Sequence, residues 1–291
     1  VSDPGSRQAG EQELRRVSGP VARAVAQRAG RAEKPICVGL SGAQGSGKTT
    51  FARVLSGVLQ AGFGMRCAGF SIDDIYLDRA ERRRLAREVH PLLLTRGVPG
   101  THDVRLGNEI IQKLQNAKSD TVLEIPVFDK ARDDRAPHQR WKRWSGKPDA
   151  ILFEGWCLGA TAQDRRELEQ PVNRLEREED PDGRWRGYVN QRLAREYARL
   201  FGEIDLLIFL QVPDLQSSLA WRIQQERELR QQAGRAGRAA FGLMSDAEVE
   251  RFVMYYERLT RHMLRELPQR ADIVIPVGPD HALGAPVIRT R

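Results

Sequence analysis

Residues 36–50 run Ile36-Cys37-Val38-Gly39-Leu40-Ser41-Gly42-Ala43-Gln44-Gly45-Ser46-Gly47-Lys48-Thr49-Thr50. The apolar run Ile36–Leu40 has the pattern of a strand buried on both faces. The stretch after it matches G-x-x-x-x-G-K-[ST], a loop that wraps phosphate. Its glycines let backbone N–H groups curl around phosphate oxygens without Cβ clashes. A helix is predicted next, with Phe51, Val54, Leu55, Val58 and Leu59 on its apolar side. The positive end of that helix points at the same phosphates. Strand, loop and helix in this order predict an ATP site made by Gly42, Ala43, Gln44, Gly45, Ser46, Gly47, Lys48, Thr49 and Thr50. Lys48 reaches the β- and γ-phosphates, and Thr49 offers a hydroxyl to Mg²⁺.

Working outward, apolar strands are predicted at Met65–Ile72, Val122–Val127, Ala150–Glu154, Leu206–Val212 and Ile273–Val277. Helical patterns separate most of them, at 79–89, 103–117, around 163–203, 215–232 and 246–266. Strands alternating with helices predict a three-layer α/β/α fold with a mainly parallel sheet, which binds ligands at the C-terminal ends of its strands. Residues 129–147 form a polar, basic stretch too long for a plain connector. Residues 233–242 alternate Gly and Arg with Ala and are expected to form a mobile loop. Residues 1–34 are expected to be a flexible basic extension, because Gly19-Pro20 interrupts the weak pattern Leu14, Val17, Val21, Val25. The phosphotransfer domain is then 35–291.

The 291-residue chain is 40% hydrophobic and 30% charged, a composition suited to one large α/β domain. No apolar run approaches the roughly 20 residues of a membrane helix, and no secretory leader is evident, so a cytoplasmic protein without membrane contact is expected. The net charge of +8 admits a nucleic-acid surface or a basic cleft for anionic small molecules. Basic and acidic residues are interleaved without a stripe, which favours the cleft and no nucleic-acid partner. Cys37, Cys67 and Cys157 sit in or beside apolar runs, the pattern of buried thiols rather than of disulfides or zinc ligands.

Two acids end predicted strands. In Ser71-Ile72-Asp73-Asp74-Ile75-Tyr76, Asp73 is the candidate base that accepts the proton of an acceptor hydroxyl. Asp74 has a competing explanation as a helix cap. In Phe153-Glu154-Gly155, Glu154 stands where a carboxylate holds Mg²⁺, together with Thr49.

The loop, the S-x-D-D-x-Y segment, Pro126-Val127-Phe128-Asp129 and Phe153-Glu154-Gly155 together resemble the uridine kinase, phosphoribulokinase and pantothenate kinase group. Further segments resemble the D-glycerate 3-kinase family more narrowly. They are Arg96-Gly97-Val98-Pro99-Gly100-Thr101-His102-Asp103, Phe153 to Gly159, Trp221 to Glu226, and Met244-Ser245-Asp246 with Phe252-Val253. The resemblance spans about residues 36–277. It departs from the plant pattern at Ala43, where Pro is usual, and at Ile75, where an aromatic is usual.

The resemblance implies a five-stranded parallel core and transfer of the ATP γ-phosphoryl to the 3-hydroxyl of D-glycerate. It implies Asp73 as base and a lid around 215–245 carrying Arg222, which would neutralise charge on the transferring group; a solvated helix arginine is the competing explanation. A glycerate site needs cations for the carboxylate. Candidate acceptor-binding residues are Asp73, Tyr76, Arg96, His102, Asp103, Lys130 and Arg135, with Arg132 also in the basic stretch. Phe128, Trp141 and Trp144 keep open a slot for a nucleoside base. Kinases for pantothenate, a nucleoside or a sugar phosphate, and an ATP-dependent nucleic-acid-binding protein, are the alternatives.

Overall fold

The computed structural model describes residues 4–235 and 244–289. The first half contains α1 (Pro4–Ala29), β1 (Ile36–Gly42), α2 (Lys48–Phe63), β2 (Cys67–Ser71), α3 (Arg79–Glu88), α4 (Val104–Gln115), β3 (Val122–Ile125), β4 (Phe128–Asp129), β5 (Asp134–Arg135) and β6 (Lys142–Ser145). The second contains β7 (Ala150–Gly155), α5 (Arg174–Glu179), α6 (Arg184–Arg192), α7 (Ala198–Gly202), β8 (Leu206–Gln211), α8 (Leu215–Arg235), α9 (Asp246–Arg270), β9 (Ile273–Pro276) and β10 (Val287–Ile288). Among the described residues, no helix is long and apolar enough to cross a membrane.

The central sheet has the order β10-β9-β8-β1-β7-β2. Its strands β9, β8, β1, β7 and β2 are parallel, and β10 pairs antiparallel to β9 as an edge. The parallel core is thus as expected, with one edge strand that the sequence pattern did not reveal. Every residue of β1 is buried, because alternate side chains enter different cores. Ile36, Val38 and Leu40 join Phe51, Leu55 and Leu59 of α2 on one face, and Cys37 joins Phe70, Phe153 and Phe209 on the other. Strand β1 has β7 on one side and β8 on the other, so the phosphate loop leaves the middle of the sheet, between neighbours that come from distant parts of the chain.

Two expectations are corrected. The first concerns residues 1–34. Helix α1 runs through Pro20, and Val17, Val21, Ala22 and Val25 are at most 2% exposed. They belong to the core that α2 and β1 share. Burying this i, i+4, i+8 stripe outweighs the roughly 3 kcal/mol penalty of a proline inside a helix. Arg28 also donates to Asp205 O at 3.0 Å, so this helix is docked rather than loose.

The second concerns residues 122–147. The expected strand at Val122–Val127 ends at Ile125 and lies outside the central sheet, paired antiparallel with β6. Val122 is 49% exposed, a pattern that suits a surface hairpin and not a strand covered on both faces. Between β3 and β6, β4 and β5 form a second small hairpin, so the basic stretch is ordered. Of the expected lid, α8 is described to Arg235; residues 236–243 lie outside the described residues.

Candidate active site

The phosphate loop closes on itself through Ser46 N–H donating to Ala43 O at 3.2 Å. Gly45 and Gly47 take left-handed φ values of 78° and 84°, which a residue with a Cβ adopts at a cost. At Gly45 space is also limiting, since an added Cβ would lie 3.3 Å from Trp221 Cβ. Helix α2 starts at Lys48 with no side-chain cap and no acid in its first turn. Its N-terminal N–H groups therefore face outward with Gly47, Thr49 and Thr50, which are exposed.

Lys48 folds back and donates to Ala43 O at 2.8 Å. Burial pulls its pKa down to about 8, against the opposing charges of Glu154 and Asp73. The Thr49 hydroxyl lies 2.9 and 3.0 Å from the two carboxylate oxygens of Glu154. The register explains this meeting. Glu154 sits opposite Leu40 of β1 and Ser71 of β2, at the sheet edge where the loop begins. Burial raises the Glu154 carboxyl above its ordinary range, offset in part by Thr49 and Lys48. A hydroxyl and a carboxylate side by side, open toward the phosphates, fit a hard cation completed by phosphate and water oxygens.

Beyond β2, the choice between Asp73 and Asp74 is resolved by hydrogen bonding. Asp74 Oδ2 accepts the Ser71 N–H at 3.0 Å, and Ser71 Oγ accepts the Asp73 N–H at 3.1 Å. Asp74 is therefore the cap, with Lys142 at 3.1 Å. The Asp73 carboxylate is free to face the site. It accepts from the Tyr76 hydroxyl at 2.7 Å and from Lys130 Nζ at 2.6 Å. Burial by itself would raise Asp73, but the Lys130 ammonium and the Tyr76 hydroxyl overcome it and hold the carboxyl below its usual range.

The remaining acceptor candidates converge here, most with a partner already. The Tyr76 ring stacks on His102 with 4.6 Å between centroids. His102 Nδ1 lies 2.6 Å from the Tyr197 hydroxyl, and its Nε2 has no partner among the described residues. Burial lowers the His102 pKa to about 3, so the imidazole is neutral. Arg96 pairs with Asp133. Arg135 donates to Tyr76 O at 3.3 Å and lies 3.7 Å from Asp103. Asp103 Oδ1 also accepts the Leu106 N–H at 3.0 Å as the cap of α4.

The aromatic slot does not form. Phe128 is buried beneath the guanidiniums of Arg82 and Arg96. Trp141 Nε1 donates to Ala136 O at 3.0 Å, and Trp144 lies under Arg66.

Arg222 pairs with Glu226 on its own helix and donates to Gln225 at 3.1 Å. Helix α8 is nonetheless stitched to the phosphate loop, with Ser218 Oγ donating to Gln44 O at 2.7 Å. Trp221 in turn packs against His281, with 4.1 Å between centroids and the rings tilted by 32°. A cleft of about 410 Å³ opens between Trp221, Gln224, His281 and the loop residues 45–50. Sequence reasoning did not single out Ser218, Tyr197 or His281, because each acts through a contact distant in sequence. The spacing of Trp221 three residues after Ser218 was the one usable signal for a helix face against the loop.

The chain is 34% identical over 230 residues to an uncharacterized kinase of Schizosaccharomyces pombe, covering 77% of this chain and 79% of that protein. It is 32% identical over 230 residues to the chloroplastic D-glycerate 3-kinase of Arabidopsis thaliana, covering 76% of this chain and 46% of that longer protein. Among solved structures, the D-glycerate 3-kinase from Cryptococcus neoformans var. grubii superposes with a TM-score of 0.75 at 25% identity, covering 94% of this chain and 99% of that one. No protein-family model matches the chain. The Cryptococcus enzyme shares the fold found here, and the chain belongs to the D-glycerate 3-kinase family of ATP-dependent kinases.

Proposed function

We propose that this kinase transfers the γ-phosphoryl of ATP to the 3-hydroxyl of D-glycerate, giving 3-phosphoglycerate and ADP. The observation that carries this reading is the 2.6 Å contact between Lys130 and Asp73. A carboxylate and an ammonium meet there, which supports a site with both a base and a cation. An acceptor bearing both a hydroxyl and a carboxylate matches that pair. The two D-glycerate 3-kinases among the relatives support the same acceptor.

In this reading the acceptor hydroxyl donates to Asp73, and Lys130 moves onto the acceptor carboxylate, with Arg96 and Arg135 behind it. The hydroxyl oxygen bonds to the γ-phosphorus as the bond to the bridging oxygen of ADP breaks, and the hydroxyl proton passes to Asp73. A carboxylate held below its usual range is a weak base. That suits a loose transition state in which the proton leaves late and orientation matters most. Lys48 and the loop N–H groups take up charge on the phosphates. Thr49 and Glu154 would hold Mg²⁺, which would supply positive charge to the phosphates. Tyr76 and His102 fix the Asp73 side of the site, and Arg222 on α8 would turn from Glu226 to the transferring group when nucleotide is present. Three free cysteines fit a reducing compartment, and the cytoplasm is the proposed location.

The test is ADP release with Mg-ATP across D-glycerate, L-glycerate, pantothenate, uridine and ribulose 5-phosphate, with the product identified by phosphorus NMR. Turnover with D-glycerate giving 3-phosphoglycerate is expected. Preference for any other acceptor, or a 2-phospho product, rejects the proposal.

A further inference from the structure

Helix α3 carries five arginines, and four of them (Arg79, Arg83, Arg84 and Arg87) are exposed. The fifth, Arg82, is 0% exposed. A guanidinium out of water is tolerated only when its donors are satisfied and its charge is met. Arg82 meets both conditions. Nε donates to Leu77 O at 3.2 Å, Nη1 to Leu94 O at 2.8 Å and Nη2 to Asp133 O at 2.6 Å. The charge is answered by Asp133 Oδ2, 3.0 Å from Nη2. The other Asp133 oxygen accepts from Arg96. Arg82 and Arg96 both lie over the Phe128 ring, 5.9 and 5.6 Å from its centroid.

Asp133 is itself in an uncommon state. It has φ 52°, and only His281 shares a positive φ with it among the described non-glycine residues. An aspartate visits this region more easily than most residues, but still needs its surroundings to hold it there. It closes the turn between β4 and β5, and Lys130 lies at the other end of that turn. Two further contacts fix the base of the hairpin: Arg140 to Asp129 at 2.7 Å, and Ala136 N–H to Val127 O at 2.8 Å. Among the described residues, Lys130 is tied to the site by Asp73 alone, and its side chain is 60% exposed. Its position over Asp73 therefore depends on where the turn is held.

We propose that buried Arg82 and half-buried Asp133 form a clamp that positions the β4–β5 turn, holds Lys130 over Asp73, and so sets the affinity for the acceptor. Arg82 and Asp133 are positioning residues, since they act through Lys130. The proposal rests on the reading of Lys130 as an acceptor-binding cation, and its test separates the two.

Asp133→Asn removes the charge that joins Arg82 to Arg96, while asparagine still tolerates a positive φ. Two readouts are taken. In the free protein, the rate of lysine acylation at Lys130 is followed by peptide mass spectrometry, with no acceptor present. It should rise at least threefold in the variant as the Lys130–Asp73 contact loosens. In turnover, KM is measured for the acceptor that the wild type phosphorylates fastest. It should rise at least fivefold, with KM for ATP within twofold of wild type, while the melting temperature falls because Arg82 keeps a buried charge that the variant no longer meets.

Arg82→Met is the second variant, and the double variant should be no worse than the more damaged single one, because both break one clamp. If Arg82→Met fails to fold, Asp133→Asn decides. Unchanged Lys130 acylation overturns the clamp. Faster acylation with an unchanged acceptor KM overturns its role in acceptor affinity, and equal rises in both KM values assign Asp133 to general stability instead. A wild type that prefers an acceptor other than D-glycerate overturns the acceptor identity and leaves both clamp readouts in force.

Discussion

Lys130 Nζ lies 2.6 Å from Asp73 Oδ2, while Tyr76 donates to the other oxygen of the same carboxylate at 2.7 Å. Each oxygen of the carboxylate thus has one donor before any acceptor binds. A carboxylate has about four lone-pair sites, so an acceptor hydroxyl can share an oxygen or displace a donor, and Lys130, on an exposed turn, moves more easily than a buried tyrosine.

Asp73→Asn keeps the shape and loses the proton acceptor. We expect kcat to fall about 10²–10⁴-fold, with nucleotide affinity retained. Steady-state kinetics with a separate nucleotide-binding titration check this. A kcat within tenfold of wild type would mean that Asp73 is not the base.

Lys48 titrates near 8 in the free protein because burial disfavours its charge. Phosphate binding needs the ammonium, and deprotonation removes it as pH rises. Accordingly kcat/KM for ATP should be level below about pH 8 and fall above it, since this parameter reports the free enzyme. The kcat profile at saturating ATP should lose that limb, because bound phosphates stabilise the ammonium. Lys48→Ala should abolish turnover without lowering the melting temperature appreciably.

His102 is buried neutral, with its pKa lowered from 6.5 to about 3. As pH falls below about 6.5 the unfolded chain takes up a proton that the folded one refuses, so stability drops with falling pH. Each pH unit in that window costs up to about 1.4 kcal/mol. Urea melts at pH 6.5 and 5.0 should show a loss of about 2 kcal/mol from this group, and His102→Gln should remove that increment. An identical pH slope in the variant would show that the imidazole protonates within the fold.

Val21 is 0% exposed in α1. Val21→Asp buries an unpaired carboxylate against α2 and should cost more than about 3 kcal/mol. Thermal melts check this directly. A Tm within two degrees of wild type would restore the loosely attached extension that the sequence pattern suggested.

The sequence by itself determined the phosphate site, since Gly42 to Thr49 is contiguous and needs only the strand before it and the helix after it. It also determined the parallel sheet, because strands such as β8, apolar from Leu206 to Leu210, find burial only between two helical layers. Asp73 and Glu154 were legible as acids at strand ends.

The tertiary structure decided what depends on partners far along the chain. Asp73 and Asp74 are adjacent in sequence, and only the bond from Ser71 N–H made one a cap and left the other to the site. The α1 helix depended on a surface of α2 to bury it, which outweighed the local signal of Gly19-Pro20. Arg82 looked like its four neighbours on α3, because burial of a guanidinium is set by the carbonyls of Leu77, Leu94 and Asp133 that gather around it. Periodicity records which face of an element is apolar, but not which distant polar groups that face will meet.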